Sequence, residues 1–188
     1  DAAHGAHRKM QVVFQDPFGS FNPRHKVARL IAEPFHLLDK RPPRHEQASA
    51  VSSALADVGL KPSDADRYIH EFSGGQRQRI AIARAIIIRP DLIIFDEAVS
   101  ALDVSVRARI LDLLAKLCDT HNLTYLFISH DISVVRSITD RVMVMQAGQI
   151  VEEGPTERVF TNPQHSYAKR LVAAVPPVVI PAVKGLNT

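Results

Sequence analysis

Two carboxylates, Asp96 and Glu97, directly follow the apolar run Leu92-Ile93-Ile94-Phe95. Such a run between turn residues and a polar cluster reads as a strand covered on both faces. A strand of this kind delivers its last residues to the C-terminal edge of a parallel sheet, where open α/β sheets hold their ligands. At that edge Asp96 can hold Mg²⁺, directly or through water, and Glu97 can polarise an attacking water. A strand running out into a polar turn would look the same. Other positions share this double character. Ser73-Gly74-Gly75-Gln76 opens a helix: the glycines let backbone approach a ligand, the first N–H groups favour an anion, and the serine hydroxyl adds a donor. An ordinary capped helix needs no more than that. His130, in Ser129-His130-Asp131 after a strand, can hydrogen-bond a terminal phosphate or simply sit in a turn. Gln15, past the first short strand, can orient water or Mg²⁺, though a lone glutamine says little.

The elements that must carry these residues follow from periodicity and turn signals. Met10-Gln11-Val12-Val13-Phe14 reads as a buried strand, ended by Asp16-Pro17 and Gly19-Ser20, with Asn22-Pro23 as further punctuation. Residues 27–38 show helical spacing that Pro34 should kink or break. A linker holding Pro42 and Pro43 precedes an amphipathic helix over 46–60, with Gly59 near its end. Pro62-Ser63-Asp64 starts another short helical piece. The helix opened by Ser73 runs to about 88 and sets Arg77, Arg79 and Arg84 beside Ile80-Ala81-Ile82-Ala83. That mixture predicts a helix wedged into the structure. A long helix over 104–122 has Val106, Ile110, Leu113, Leu114 and Leu117 as its core stripe. A strand over 126–128, a short helix over 132–139, and a hairpin turning at Ala147-Gly148 follow. Helical pieces over 155–160 and 165–174 lead to a tail with Pro176, Pro177 and Pro181, expected to lack packed structure. Strands alternating with helices predict an α/β layer fold with a mostly parallel sheet. Residues 27–68 form a nearly all-helical insertion in it.

Composition narrows the class. The 188 residues are 46% hydrophobic and 23% charged, which excludes whole-chain disorder. One cysteine, Cys118, excludes an intramolecular disulfide framework and favours a reducing compartment. No apolar run approaches the ~20 residues of a membrane span, and no signal peptide opens the chain. A net charge of +3 speaks to solubility and not to nucleic acid. His4 and His7 are too few ligands for a metal site.

Taken in order, these segments resemble the nucleotide-binding domain of ABC transporters. Phe14-Gln15-Asp16-Pro17 resembles the Q-loop, and Phe72 to Arg79 the signature motif, with Phe in place of the commoner Leu. Leu92 to Glu97 resembles Walker B, Ser100-Ala101-Leu102-Asp103 the D-loop, and Phe127 to Asp131 the H-loop. Phe14 to Pro17 continuing to Asn22-Pro23-Arg24, Glu97 to Asp103, and the closing Gly154 to Tyr167 are similar to dipeptide and oligopeptide importer ATPases, apart from Ser166 where the family usually has Pro.

The resemblance implies an incomplete P-loop NTPase (RecA-like) core with an inserted helical subdomain, forming one domain. Its parts would be residues 10–26 (Q-loop strand and loop), 27–88 (helical subdomain and signature), 89–154 (Walker B, D-loop and H-loop) and 155–188 (C-terminal extension). It implies ATP and Mg²⁺ as cofactors, Glu97, His130 and Gln15 as catalytic residues, and Asp96 with Gln15 at the metal. Ser73, Gly74, Gly75, Gln76 and Asp103 would contact nucleotide. It further implies a second ABC ATPase domain, permease subunits that residues 16–25 and the helical insertion meet, and a place on the cytoplasmic face of a bacterial inner membrane. Neither nucleic acid binding nor membrane insertion is expected. A Walker A loop, G-x-x-x-x-G-K-[ST], is also implied, yet none of the eight glycines is followed by lysine. The chain alone is therefore expected to be the C-terminal part of the domain, and inactive. Two other roles fit parts of the pattern. One is a non-catalytic module lending its signature face to a partner. The other is a DNA-maintenance ATPase of the same superfamily, against which the short, proline-broken insertion and balanced charge both count.

Overall fold

The computed structural model describes residues 8–16 and 19–174. The chain forms two compact units, Asp1–Ser129 and His130–Thr188. His4, His7, Pro17 and the proline-marked tail lie outside the described residues.

The first unit is built on a parallel sheet of β1 (Met10–Phe14), β2 (Leu92–Asp96) and β3 (Thr124–Ile128), in that order. Met10, Leu92 and Thr124 stand in one row and Phe14, Asp96 and Ile128 in another, so the strands begin and end level. Their starts are tied together, since Asp91 N–H donates to the Lys9 carbonyl at 2.8 Å and Thr124 N–H to the Asp91 carbonyl at 3.3 Å. β2 is central, which explains its unbroken apolar run. Ile93 and Phe95 are buried, and the Phe95 ring stacks on Phe127 at 4.7 Å and meets Tyr125 edge-on at 5.1 Å. β3 starts two residues earlier than the apolar run alone predicted, because Thr124 and Tyr125 pair with Leu92 and Ile93.

The insertion is helical, as its spacing predicted. α1 (Val27–Ile31) gives way to a 3₁₀ segment (Glu33–Leu37) whose second residue, Pro34, has no N–H to continue the α-helical ladder. α2 (Arg44–Asp57) follows the two prolines. It ends in a Schellman motif at Gly59, whose φ is 71°, with Leu60 N–H donating to the Leu55 carbonyl at 2.9 Å. Lys26 and Tyr68 form an antiparallel bridge, and Val27 N–H donates to the Arg67 carbonyl at 2.9 Å, so the two ends of the insertion meet at its base.

α3 (Gly74–Ile86) packs against α1, α2, β1 and α4 (Val104–His121). Its wedged position matches the arginine-and-alanine pattern: Ile80 to Ala83, Ala85 and Ile86 are buried. Arg77 donates to the carbonyls of Ile69 (3.2 Å) and His70 (3.3 Å), and Arg79 to that of Val58 (2.6 Å). These arginines thus cap the ends of neighbouring helical segments. α4 buries Ile110, Leu113, Leu114 and Leu117 and ends at Asn122 in the left-handed conformation.

The second unit holds α5 (Ile132–Ile138), the antiparallel pair β4 (Arg141–Gln146) and β5 (Gln149–Pro155), α6 (Thr156–Thr161) and α7 (Ser166–Ala173). Ala147 and Gly148 both have positive φ, the type I′ geometry of a two-residue hairpin. The buried Glu152 carboxylate accepts from the backbone N–H groups of Gln164 (3.0 Å) and His165 (2.9 Å), which anchors the turn before α7. These bonds, Gln164 first, hold its carboxyl below the usual range. No helix among the described residues is long and apolar enough to cross a membrane.

Candidate functional site

Because Phe14, Asp96 and Ile128 stand in one row, Gln15, Glu97 and Ser129 leave the sheet together at its C-terminal edge. Glu97 turns there with φ 52°, a left-handed backbone that costs a non-glycine residue ~1–2 kcal/mol. The turn is held on both sides. Glu97 N–H donates to the Ile128 carbonyl at 2.9 Å, and the Glu97 carbonyl accepts from Ser100 N–H at 3.1 Å and Ser100 Oγ at 2.8 Å. Ala98 and Val99 are buried beneath it. Asp96 and Glu97 are half-buried while Gln15 is exposed. The structure therefore brings Gln15, Asp96 and Glu97 to one edge of one sheet. His130 follows β3 by two residues and is the first residue of the second unit.

Two carboxylates and a carboxamide offer hard oxygen donors. Among the described residues no three His, Cys, Asp or Glu side chains form a closed metal cluster. That donor set fits Mg²⁺, which keeps several waters and uses one or two carboxylates alongside phosphate oxygens.

At the start of α3, Ser73 and Gln76 form a capping box. Gln76 N–H donates to Ser73 Oγ at 3.4 Å, and Ser73 N–H to Gln76 Oε1 at 3.0 Å. The two glycines differ. A Cβ on Gly75 would sit 2.5 Å from Val106 Cγ1, so close packing against α4 demands glycine there. A Cβ on Gly74 would meet nothing within 4 Å, so the fold of this chain does not require its smallness. Asp103 serves the same contact from the other side. Its carboxylate caps α4, accepting from Val106 N–H at 3.0 Å and Ser105 Oγ at 2.8 Å. The Val106 bond is the main reason its carboxyl is held below the usual range. The Asp103 side chain thus faces its own helix and fixes the residue that packs on Gly75.

Two arginines brace the segments that carry these groups. Arg84 donates to Ser20 O and Oγ, both at 3.3 Å, pairs with Glu33 at 3.4 Å, and lies over the Phe21 ring at 4.7 Å. It joins the loop beyond Gln15 to α3, and burial lowers its pKa, partly offset by Glu33. Arg67 covers the Phe72 ring at 4.3 Å and pairs with Asp64 (3.0 Å) and Glu71 (3.5 Å), bracing the approach to Ser73. The spacing of Asp64, Arg67 and Glu71, three and then four residues, was a signal available for Arg67. Nothing local pointed to the partners of Arg84.

Comparison with known proteins agrees with this architecture. A family profile described as ABC transporter matches residues 1–100. The chain belongs to the ABC transporter family, and its sheet and helices are those of an α/β P-loop NTPase-like ABC domain. Within the family it is 50% identical over 169 residues to the dipeptide transport ATP-binding protein DppF of Escherichia coli (strain K12), covering 90% of this chain and 50% of that protein. It is 52% identical over 169 residues to the oligopeptide transport ATP-binding protein AppF of Bacillus subtilis (strain 168), covering 90% and 51%. Against the glutathione import ATP-binding protein GsiA of Escherichia coli (strain K12) it is 53% identical over 169 residues, covering 90% and 27%. The chain spans about half the length of the first of these curated relatives. Among solved structures, cbiO1 from Clostridium perfringens, described as part of the ABC transporter complex cbiONQ, superposes with a TM-score of 0.73. It is 28% identical and covers 82% of this chain and 60% of that one.

Proposed function

We propose that this chain forms part of an ATP-hydrolysing subunit that powers import of dipeptides, oligopeptides or related small solutes. The observation that carries this reading is the sheet edge, where the pinned Glu97 turn stands beside Asp96 and Gln15. Glu97 takes a proton from the attacking water. Asp96 and Gln15 would hold Mg²⁺, which neutralises charge on the phosphate oxygens. His130 hydrogen-bonds the terminal phosphate. Ser73, Gly74, Gly75 and Gln76 contact the phosphates of an ATP held by a second ABC ATPase domain. The open face of Gly74 supports this, since among the described residues nothing beyond its own helix comes within 4 Å of where a Cβ would stand. Asp103 acts through Val106 to position that face. Residues 27–88 serve as helical subdomain and 155–188 as a C-terminal extension of one catalytic domain. The partner set is completed by permease subunits, with the ATPase peripheral on the cytoplasmic side of a bacterial membrane. The transport activities in the names of the curated relatives support the solute class.

A G-x-x-x-x-G-K-[ST] loop is not among these 188 residues, so by themselves they bind ATP weakly and turn it over negligibly. The test joins this chain to a P-loop-containing N-terminal segment of a dipeptide-importer relative and measures ATP binding and turnover. Glu97→Gln should keep nucleotide binding and lower turnover by ~10²–10⁴-fold, the usual contribution of a general base. Equal turnover in the variant and the parent would remove Glu97 from the chemistry. A joined protein that binds no ATP would favour the non-catalytic module.

A further inference from the structure

Gln15 lies in a loop that is anchored at both ends. At its start, the register of β1 on β2 pairs Phe14 with Asp96. At its far end, Ser20 accepts from Arg84 through both its carbonyl and its Oγ, each at 3.3 Å. Phe21 beside it is buried, with the guanidinium 4.7 Å from its ring centroid. The chain then closes into a turn on Asn22, whose Oδ1 accepts from Arg24 N–H at 3.0 Å and whose carbonyl accepts from His25 N–H at 3.0 Å. The tied end also lies against the residue next to Gln15, because a Cβ on Gly19 would stand 3.0 Å from Asp16 Oδ2. A path therefore runs from Arg84 through Ser20, Gly19 and Asp16 to Gln15.

Arg84 is suited to hold such an end. Its side chain is only 16% exposed. Its neighbours Ala83 and Ala85 are buried in α3, which packs on β1, so both anchors of the loop belong to one packed body. Glu33, the carboxylate that pairs with Arg84 at 3.4 Å, is 59% exposed, and solvent screens that pair. The fork reaching two atoms of Ser20 and the ring of Phe21 supply the rest of the hold, a combination that a lysine ammonium does not reproduce. We propose that Arg84 is a positioning residue for Gln15, clamping the far end of its loop so that the carboxamide stays at the sheet edge with Asp96 and Glu97. The consequence for Mg²⁺ rests on the reading of Gln15 given above; the clamp itself does not.

The first test places a nitroxide at position 15, through Gln15→Cys in a Cys118→Ser background of this chain, and reads its mobility by electron paramagnetic resonance. Arg84→Gln should narrow the spectral lines as the loop loses its far anchor. Arg84→Lys, which keeps the charge, should narrow them less but measurably. A label introduced by Ala108→Cys, at an exposed position of α4, should report no change in either variant. The second test uses the joined protein. There Arg84→Gln should raise the Mg²⁺ concentration for half-maximal turnover by about threefold or more and leave metal-free ATP binding unchanged. In a Gln15→Ala background it should add no further rise, because the two residues act through one group. An unaltered line shape at position 15, equal narrowing at position 108, or a Mg²⁺ dependence that Gln15→Ala shifts and Arg84→Gln does not, each overturns the proposal. So does a full additional shift in the double variant. If Gln15→Ala leaves the Mg²⁺ dependence unmoved, the catalytic reading of Gln15 falls, and the nitroxide alone decides whether Arg84 sets the loop.

Discussion

The turn after β2 and the turn before α3 both offer groups suited to phosphate, yet they are built in opposite ways. At the first, register and burial do the work: three strands end level, and Glu97 is forced into a left-handed backbone held by Ile128 and Ser100. At the second, short-range bonds suffice: Ser73 and Gln76 cap each other, and the backbone of Gly74 stands exposed. The difference teaches where strain is tolerated. The Glu97 turn is aimed by long-range register and the core beneath it, whereas the Ser73–Gln76 turn is stiffened by its own short bonds and left open at Gly74.

Breaking the core under the first turn should have the largest effect. Phe95→Ala removes the ring that Tyr125 and Phe127 pack on and should cost ~3–5 kcal/mol in urea unfolding. A smaller loss would mean the sheet edge is held from elsewhere. Gly75→Ala should come next, since its Cβ would overlap Val106; overpacking of this kind costs ~1–3 kcal/mol. Val106→Ala in the same chain should recover part of the loss. Gly74→Ala, by contrast, should leave stability unchanged or raise it by up to ~1 kcal/mol, because alanine is the better helix former. Equal destabilisation by the two alanines would dissolve the distinction between the packed and the open glycine.

Glu97→Gly should stabilise the chain by about 0.5–1 kcal/mol as the left-handed strain is relieved, net of the flexibility glycine adds to the unfolded state. It would do so at the expense of turnover in the joined protein. Ala147→Gly, at the hairpin's φ of 50°, is the matching control without a catalytic role. A destabilised Glu97→Gly would show that the carboxylate itself holds the turn.

The smallest effect concerns acid. The carboxyls of Asp103 and Glu152 are held below their usual range by the N–H groups of Val106 and Gln164. A folded-state pKa below the unfolded value, near ~3.9 for Asp and ~4.3 for Glu, means that protonation favours the unfolded chain. Their contribution is present above the unfolded pKa and is lost as pH falls through the folded one. The urea midpoint should therefore drop below about pH 4.5, and Glu152→Gln should show a flatter acid limb. An unchanged limb in that variant would remove Glu152 from the acid response.

Much of this was legible before any coordinates, for reasons that are local. Four apolar residues between turn signals and two carboxylates read as a buried strand that ends in charge at a sheet edge. Pro34 lacks the donor that α1 needs to continue. Ala147-Gly148 supplies the two positive φ values of a tight hairpin. The less legible features depend on partners far along the chain. Thr124 and Tyr125 became strand because Leu92 and Ile93 lie beside them. Asp103 Oδ1 caps its own helix through Ser105 and Val106, a bond that a one-dimensional motif does not display.

The sequence alone therefore determined the alternation of strand and helix, the helical insertion and the order of the phosphate-suited segments, because periodicity, turn chemistry and capping act within a few residues. Only the tertiary structure decided that Gly75 is a packing glycine while Gly74 is an open one, and that Arg84 ties the loop beyond Gln15 to α3. Those outcomes rest on which side chains meet across tens of residues, and close packing settles that only once the whole unit has folded.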